Sequence, residues 1–528
     1  MGGGIVCGLK SAAFVCVENA AVRRPDRLTL GAHGRDSFII MKFRSIRRLG
    51  LLALFLTGSF QTQAGPKPVM VHYMPWFVSQ PYSGGWGWHW TMGHFNPNLT
   101  NTNGQQQIAS WYYPLIGPYD SADPAVLEYH VLLMKLGGID GVIVDWYGND
   151  SYADYSINDQ RTSALLYYTR KAGLKFSLCY EDATIQTEIN ANYIPASAAV
   201  AHAQQTLLYA QSNYFRDASY YRLQSQPVFL NFGPQYFKTN TQWQSIFSIL
   251  DATNQPAFFT EDNRLPVGTG AFDWPPMWMT ATNAGVLSTN QLTSYLSNFD
   301  AKGSAWPGYV SGGFPRFHDI YAQAGVQPSY GYLDDRNGDT FRETLARAMT
   351  NNSKMVQVIT WNDFGEGTVV EPTADFGYRD LGIIQDSRRQ YLDSTFAYHT
   401  NDLVIPTRLY TQRKRNIPAN NPVVTAELDR VFTNAVNGNL AVASLQLSGV
   451  ESNHPVIYGL SSTGGQLQFL IGGYLSSSGV MVQTSSVPGT GTWQTISTIA
   501  GSTNQFIFNT PIAPQGPPTF FRVQNAGP

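Results

Sequence analysis

Val358-Ile359-Thr360-Trp361-Asn362-Asp363-Phe364-Gly365-Glu366-Gly367-Thr368 sets two carboxylates three positions apart behind a short apolar, β-favouring run. Barrel strands deliver their functional side chains at their C-terminal ends, where the loops of the active face begin. The stretch therefore predicts the end of a barrel strand that presents an acid and a base. Seven similar apolar runs lie upstream, at 69–77, 141–147, 175–182, 227–232, 256–261, 272–279 and 306–312, with 355–362 as the eighth. Several are continuous rather than alternating, as parallel strands covered on both faces require. Helix-like segments separate them. The expected fold is α/β, a (β/α)8 TIM barrel over residues 65–390.

Local signals agree with that reading. Asp123 is placed as an N-cap, Pro124 suits the first helical position, and Leu127, Val131 and Met134 follow at helical spacing before Gly137-Gly138. Thr340 and Glu343 have capping-box spacing ahead of Leu345. The acidic run from Asp334 to Asp339 has its glycine misplaced for a calcium loop and reads as a turn with a helix cap. Residues 391–447 read as a helical extension packing on the barrel, with Val424, Leu428, Val431 and Phe432 on one face. The basic residues Arg408, Arg413, Lys414 and Arg415 read as a solvated face. From 448 to 528 Ser, Thr, Gly and Gln dominate, with alternating runs that predict a small β-sandwich module.

The 528 residues carry 34 basic and 36 acidic side chains, which excludes the electrostatic footprint of a nucleic-acid binder. Charged residues make up only 13%, about half the usual share, while aromatics reach 13%, a balance suited to a neutral polyhydroxyl partner. Met41 to Arg48 is basic, Leu51 to Leu56 is apolar, and Thr62-Gln63-Ala64 supplies small residues, so 41–64 reads as a secretory signal with Met41 as the expected start. The apolar run is too short to span a bilayer. That leaves Cys179 as the only cysteine of the mature chain, in an apolar strand, and read as a buried inert thiol.

The strand ends collect polar and aromatic residues: Tyr73 and Trp76 after the first, Asp145 and Trp146 after the second, Glu181 after the third. Asn231, Glu261 and Trp278 follow the fourth to sixth, and Asn362, Asp363 and Glu366 the eighth. Asp182 and Asp262 read equally well as helix caps. The loop after the first strand, Trp86-Gly87-Trp88-His89-Trp90, is dense in rings that suit the C–H faces of a sugar. His89 and His94 lack a third nearby ligand, so no metal is expected. Neither a nucleophilic-serine elbow, a phosphate loop nor a dinucleotide fingerprint is present, so carboxylate acid–base chemistry without a cofactor is the expected class.

Three stretches carry a family resemblance: His72 to Phe77 with the Trp-rich loop to Trp90, Ile116 through Asp123-Pro124 and His130 to Gly148, and the opening motif extended through Glu371-Pro372. The chain resembles the glycoside hydrolase family 71/99-like group over about residues 66–440. Family 99 implies a (β/α)8 endo-α-mannosidase, with Glu where this chain has Asp363 and a second Glu at Glu366, followed by Gly and Thr as here. In that family the first carboxylate deprotonates the sugar 2-hydroxyl, giving retention through an epoxide-like intermediate, and the second acts as acid and then base. Family 71 implies an endo-α-1,3-glucanase, with Trp-Asn-Asp-(aromatic)-Gly-Glu as in Trp361 to Glu366. Asp363 is one methylene shorter than the family 99 residue, which favours room for a water and inversion, a geometry that needs carboxyls roughly 6.5–9.5 Å apart.

The expectation is a secreted glycoside hydrolase that cleaves α-linked polysaccharide within the chain. Glu366 is the expected acid and Asp363 the base. Tyr73, Trp76, Trp86, Trp88, His89, Trp90, Asp145, Trp146, Glu181, Asn231, Glu261, Trp278 and Asn362 are the expected sugar-contacting residues. A non-catalytic glycan-binding protein on a hydrolase barrel is the alternative.

Overall fold

The computed structural model describes residues 67–476, 478–487, 492–500, 505–511 and 519–526, together with the backbone of three short strands before residue 43. The leader and signal expected over 1–64 otherwise lie outside the described residues. Eight parallel strands are β1 (Val69–Tyr73), β2 (Gly141–Trp146), β3 (Lys175–Tyr180), β4 (Gln226–Asn231), β5 (Ala257–Glu261), β6 (Gly270–Phe272), β7 (Val310–Gly313) and β8 (Met355–Val358). Each pairs with the next, and β8 pairs back with β1, which closes the sheet into a barrel. Strands β1 and β2 are buried along their whole length, because side chains fill the barrel on one face and helices cover the other.

Three strands end markedly earlier than the apolar runs suggest: β1 at Tyr73, β6 at Phe272 and β8 at Val358. The run at 272–279 continues past β6 into Pro275-Pro276, which lack N–H donors, and turns into a short helix at Met277–Met279. Past β8 the chain leaves the ladder: the Thr360 N–H bonds Thr368 O at 3.0 Å, and the Trp361 N–H bonds His72 O at 2.6 Å. The Asp363–Glu366 segment is therefore a compact loop on the strand end, not an extension of the strand.

The main helices are α1 (Pro124–Gly137), α2 (Tyr155–Lys171), α3 (Ala183–Asn190), α4 (Ala199–Ala210), α5 (Asn240–Phe247), α6 (Thr289–Gly303), α7 (Asp339–Thr350) and α8 (Arg379–Tyr391). Asp123 caps α1 by accepting the Ala125 N–H at 2.9 Å, and Gly138 ends it at φ 85°. At α7 the capping box does not form. Thr340 Oγ1 instead donates to Asp334 O at 2.6 Å, and Glu343 is taken by Arg336. Gly338 occupies the cap position, behind a turn in which Asp334 and Asp335 accept the N–H groups of Arg336 and Asn337 at 3.0 Å each.

Contacts group residues 64–407 in one compact unit and those from Arg408 onward in another. In the second unit Val424, Leu428, Val431 and Phe432 are buried on the helix Pro422–Val436, packed beside Leu440–Ser452. The basic face is not merely solvated: Arg408 pairs with Glu451 at 2.8 Å and Arg413 with Asp429 at 2.6 Å, acids that neighbouring helices bring alongside. Strands β9 (Pro455–Thr463), β10 (Gln466–Gly473) and β13 (Phe506–Pro511) form one sheet; β11 (Val480–Ser485), β12 (Gln494–Ile499) and β14 (Thr519–Asn525) belong to the other. Ile457, Phe469 and Ile471 of the first meet Val480, Val482 and Phe521 of the second, the core of a sandwich. Among the described residues, no helix is long and apolar enough to cross a membrane.

Candidate active site

A cavity of about 220 Å3 opens at the C-terminal ends of the barrel strands, lined by His72, Met74, Trp76, Trp88, His89, Met92, Asp145, Tyr147, Glu181, Phe232, Trp274, Tyr321, Asp363, Gly365 and Glu366. The loop after β8 supplies its two central carboxylates, and its shape follows from its own bonds. Thr360 Oγ1 accepts the Asp363 N–H at 2.8 Å, and Asp363 Oδ1 accepts the Glu366 N–H at 3.1 Å. Gly367 takes φ +68°, with His318 O only 2.7 Å from where a Cβ would stand, so the turn admits glycine there. The His318 N–H in turn holds Glu366 O at 2.8 Å, which braces the loop from the β7 side. Asn362 bridges to the end of β1, accepting the Met74 N–H at 2.8 Å and donating to Met74 O at 3.0 Å.

The electrostatics separate the two carboxyls. Burial raises Asp363 to about 6, and the N–H groups of Glu366 and Gly365 restrain the rise by stabilising its anion. Glu366 lies well above the usual carboxylate range, first through desolvation and then through repulsion by Asp363 and Asp319. Tyr321 Oη stands 3.5 Å from Glu366 Oε1, and the Trp274 indole also bonds this carboxyl. Across the cavity Asp145 and Glu181 are raised by burial as well, Asp145 next by Asp363 and Glu181 next by Asp145. Both oxygens of Asp145 are buried without hydrogen bonds, and His72 Nε2 is 3.9 Å from one of them. Burial pushes His72 and His89 down to about 3, so both rings are neutral and each offers one donor and one acceptor. Such a cavity holds one carboxyl that ionises at about 6, three that burial keeps protonated (Glu366, Asp145 and Glu181), and two neutral imidazoles.

Of the residues expected to contact sugar, Trp76, Trp88, His89, Asp145 and Glu181 line this cavity. His89 stacks on Trp76 at 4.1 Å and meets Trp88 edge-on at 5.0 Å, forming an aromatic wall. The others lie elsewhere. Tyr73 is buried against α1 with its hydroxyl 3.0 Å from His130 Nδ1, and the Trp146 indole donates to Asp159 on α2 at 2.9 Å. Trp90 is buried, donating to Tyr119 O at 2.7 Å, while Trp86 bonds Gln80 and Asn98. Asn231 donates to Asp182 at 3.1 Å; that carboxylate also accepts the N–H groups of Gln235, Tyr236 and Phe237, a loop brace rather than a helix cap. Asn362 is the bridge described above. Trp278 is 62% exposed in a separate cavity with Asp262, Tyr295 and Lys302. Glu261 lies off the cavity lining but its charge raises Glu366 and Glu181, and burial lifts its own carboxyl to about 8.

Sequence reasoning missed His72, Met74, Met92, Tyr147, Phe232, Trp274 and Tyr321 as lining residues. His72 and Tyr147 lie at strand ends, one position from Tyr73 and Trp146. Trp274 follows β6, and Tyr321 enters from the segment after β7, where no strand-end signal points to it.

The family model for Glycosyl hydrolase family 99 matches residues 67–254, which takes in β1 to β4 and stops short of Asp363 and Glu366. The chain is 21% identical over 330 residues to the Glycoprotein endo-alpha-1,2-mannosidase of Mus musculus, spanning 57% of this chain and 66% of that protein. It is 28% identical over 137 residues to the Ascus wall endo-1,3-alpha-glucanase of Schizosaccharomyces pombe, spanning 22% of this chain and 31% of that protein. A solved structure of the GH99 endo-alpha-mannosidase from Bacteroides thetaiotaomicron superposes with a TM-score of 0.43 at 18% identity, covering 65% of this chain and 98% of that one.

Proposed function

We propose that this chain is a glycoside hydrolase of the family 99-like group that cleaves α-linked glycan within the polymer, Glu366 serving as acid and Asp363 as base. The observation that supports these roles is the separation of two neighbouring carboxyls in one cavity. Glu366 retains its proton where Asp363, at about 6, has lost it. A glycosidic oxygen beside Glu366 receives the proton as its bond to the anomeric carbon breaks. Asp363, held by the Glu366 and Gly365 N–H groups, takes a proton from water or from a sugar hydroxyl, and the oxygen so deprotonated bonds the anomeric carbon as the glycosidic oxygen leaves. Trp76 and Trp88 offer ring faces to the C–H surfaces of the sugar, and Asp145, Glu181, His72 and His89 offer partners for its hydroxyls.

The longer match, to an endo-α-1,2-mannosidase, favours an α-mannoside as substrate, with α-1,3-glucan second. The signal read at 41–64 supports export. A panel of α-mannans and α-1,3-glucan, assayed for new reducing ends and product size, tests the proposal. Internal cleavage of an α-mannan is the expected result. Retention in affinity gels with no reducing ends from any polymer would overturn it in favour of a glycan-binding protein.

A further inference from the structure

Away from the cavity, Asp150 in the loop after β2, Glu188 on α3 and His202 on α4 converge on one point. His202 Nε2 is 3.0 Å from Asp150 Oδ2 and 3.1 Å from Glu188 Oε2. An imidazole nitrogen carries at most one proton. Here that proton serves Asp150, and Glu188 Oε2, on a residue only 1% exposed, faces the same nitrogen with no hydrogen-bond partner. Asp150 and then Glu188 raise the His202 imidazole to about 10, so the protonated ring leaves the trio with a charge of −1, and a cation that displaces the proton meets two carboxylates.

We propose that Asp150, Glu188 and His202 form a divalent-cation site of the zinc type. Two carboxylates and one imidazole suit zinc chemically and neutralise its charge. Metal–ligand bonds of about 2.0–2.2 Å in a tetrahedron set ligand atoms roughly 3.3 Å apart, close to the spacings found here. The side chains of Asp150 and His202 are 20% and 17% exposed, which gives an ion a way in and leaves a fourth position for water. The bound ion replaces the imidazole proton and ties the loop that follows the cavity residue Tyr147 to α3 and α4. This goes beyond the expectation of a metal-free protein, and the ion has no step in the proposed hydrolysis.

The test is zinc binding to the full chain after chelation, by calorimetry and by metal analysis after gel filtration, with Glu188→Gln and His202→Ala alongside. One zinc per chain is expected in the wild type, together with a rise in Tm. Glu188→Gln keeps the shape of the side chain and should weaken binding at least about ten-fold, abolishing the Tm response. Affinity should also fall as pH drops, because protons compete for His202. Failure of the wild type to retain zinc, or zinc affinity unchanged in both variants, would overturn the site. The trio would then be an ion pair around protonated His202.

Discussion

The Glu366 N–H donates to Asp363 Oδ1 at 3.1 Å, so the peptide itself couples the two carboxylates of the motif. The bond stabilises the Asp363 anion and, with the Gly365 N–H, holds its carboxylate in place. Repulsion from that anion in turn helps to keep Glu366 protonated. Removing the Glu366 carboxyl therefore removes the proton donor without unfolding the loop. Glu366→Gln should lower kcat by about 10²–10⁴-fold with glycan binding preserved. Turnover within a factor of two of wild type would remove Glu366 from the reaction.

The pH profile should carry the same signature. Asp363 acts only as the anion, so kcat/KM should rise with pH through about 6. It should fall again on the alkaline side, when Glu366, held well above the usual carboxylate range, loses its proton. A profile flat from pH 4 to 8 would contradict this assignment.

Glu261 links pH to stability instead. Its folded carboxyl is raised from 4.5 to about 8 by burial, so the native state holds a proton that the unfolded chain has lost between those values. Stability should therefore fall as pH rises from about 4.5 to 8, with the full loss present above 8. Glu261→Gln should flatten that slope, as read from urea midpoints at pH 5, 7 and 9. An unchanged slope would show that other carboxyls carry it.

Trp88 and Trp90 are two residues apart and should behave oppositely. Trp88 is 50% exposed on the cavity wall, so Trp88→Ala should raise KM roughly two- to ten-fold at nearly constant Tm. Trp90 is fully buried against Phe77 and Phe364, so Trp90→Ala should cost about 3–5 kcal/mol of stability. Thermal melts beside steady-state kinetics separate the two.

Gly367 is the backbone counterpart. Its left-handed φ of +68° and the His318 carbonyl 2.7 Å from the Cβ position make Gly367→Ala costly by at least about 2 kcal/mol. The strain falls on the loop that bears Glu366, so activity should drop along with Tm. Full activity in a stable Gly367→Ala protein would show that the loop yields without loss.

Most of the barrel could be read along the chain because each strand is a continuous apolar run whose burial on both faces leaves a one-dimensional signature. The strand ends could be named for the same reason, and Asp363 with Glu366 stood out as carboxylates on one of them. Which neighbour at each end faces the cavity could not be read. His72 and Asp145 line it while Tyr73 and Trp146 turn to α1 and α2, because side chains alternate across a strand and only barrel closure decides which set points inward. Trp274 and Tyr321 reach Glu366 from segments outside the regular strands, whose course is set by packing against the rest of the barrel. Sequence periodicity determined the fold and the pair of carboxylates. The split in their ionisation is a tertiary property, since it depends on burial and on charges brought together from distant strands.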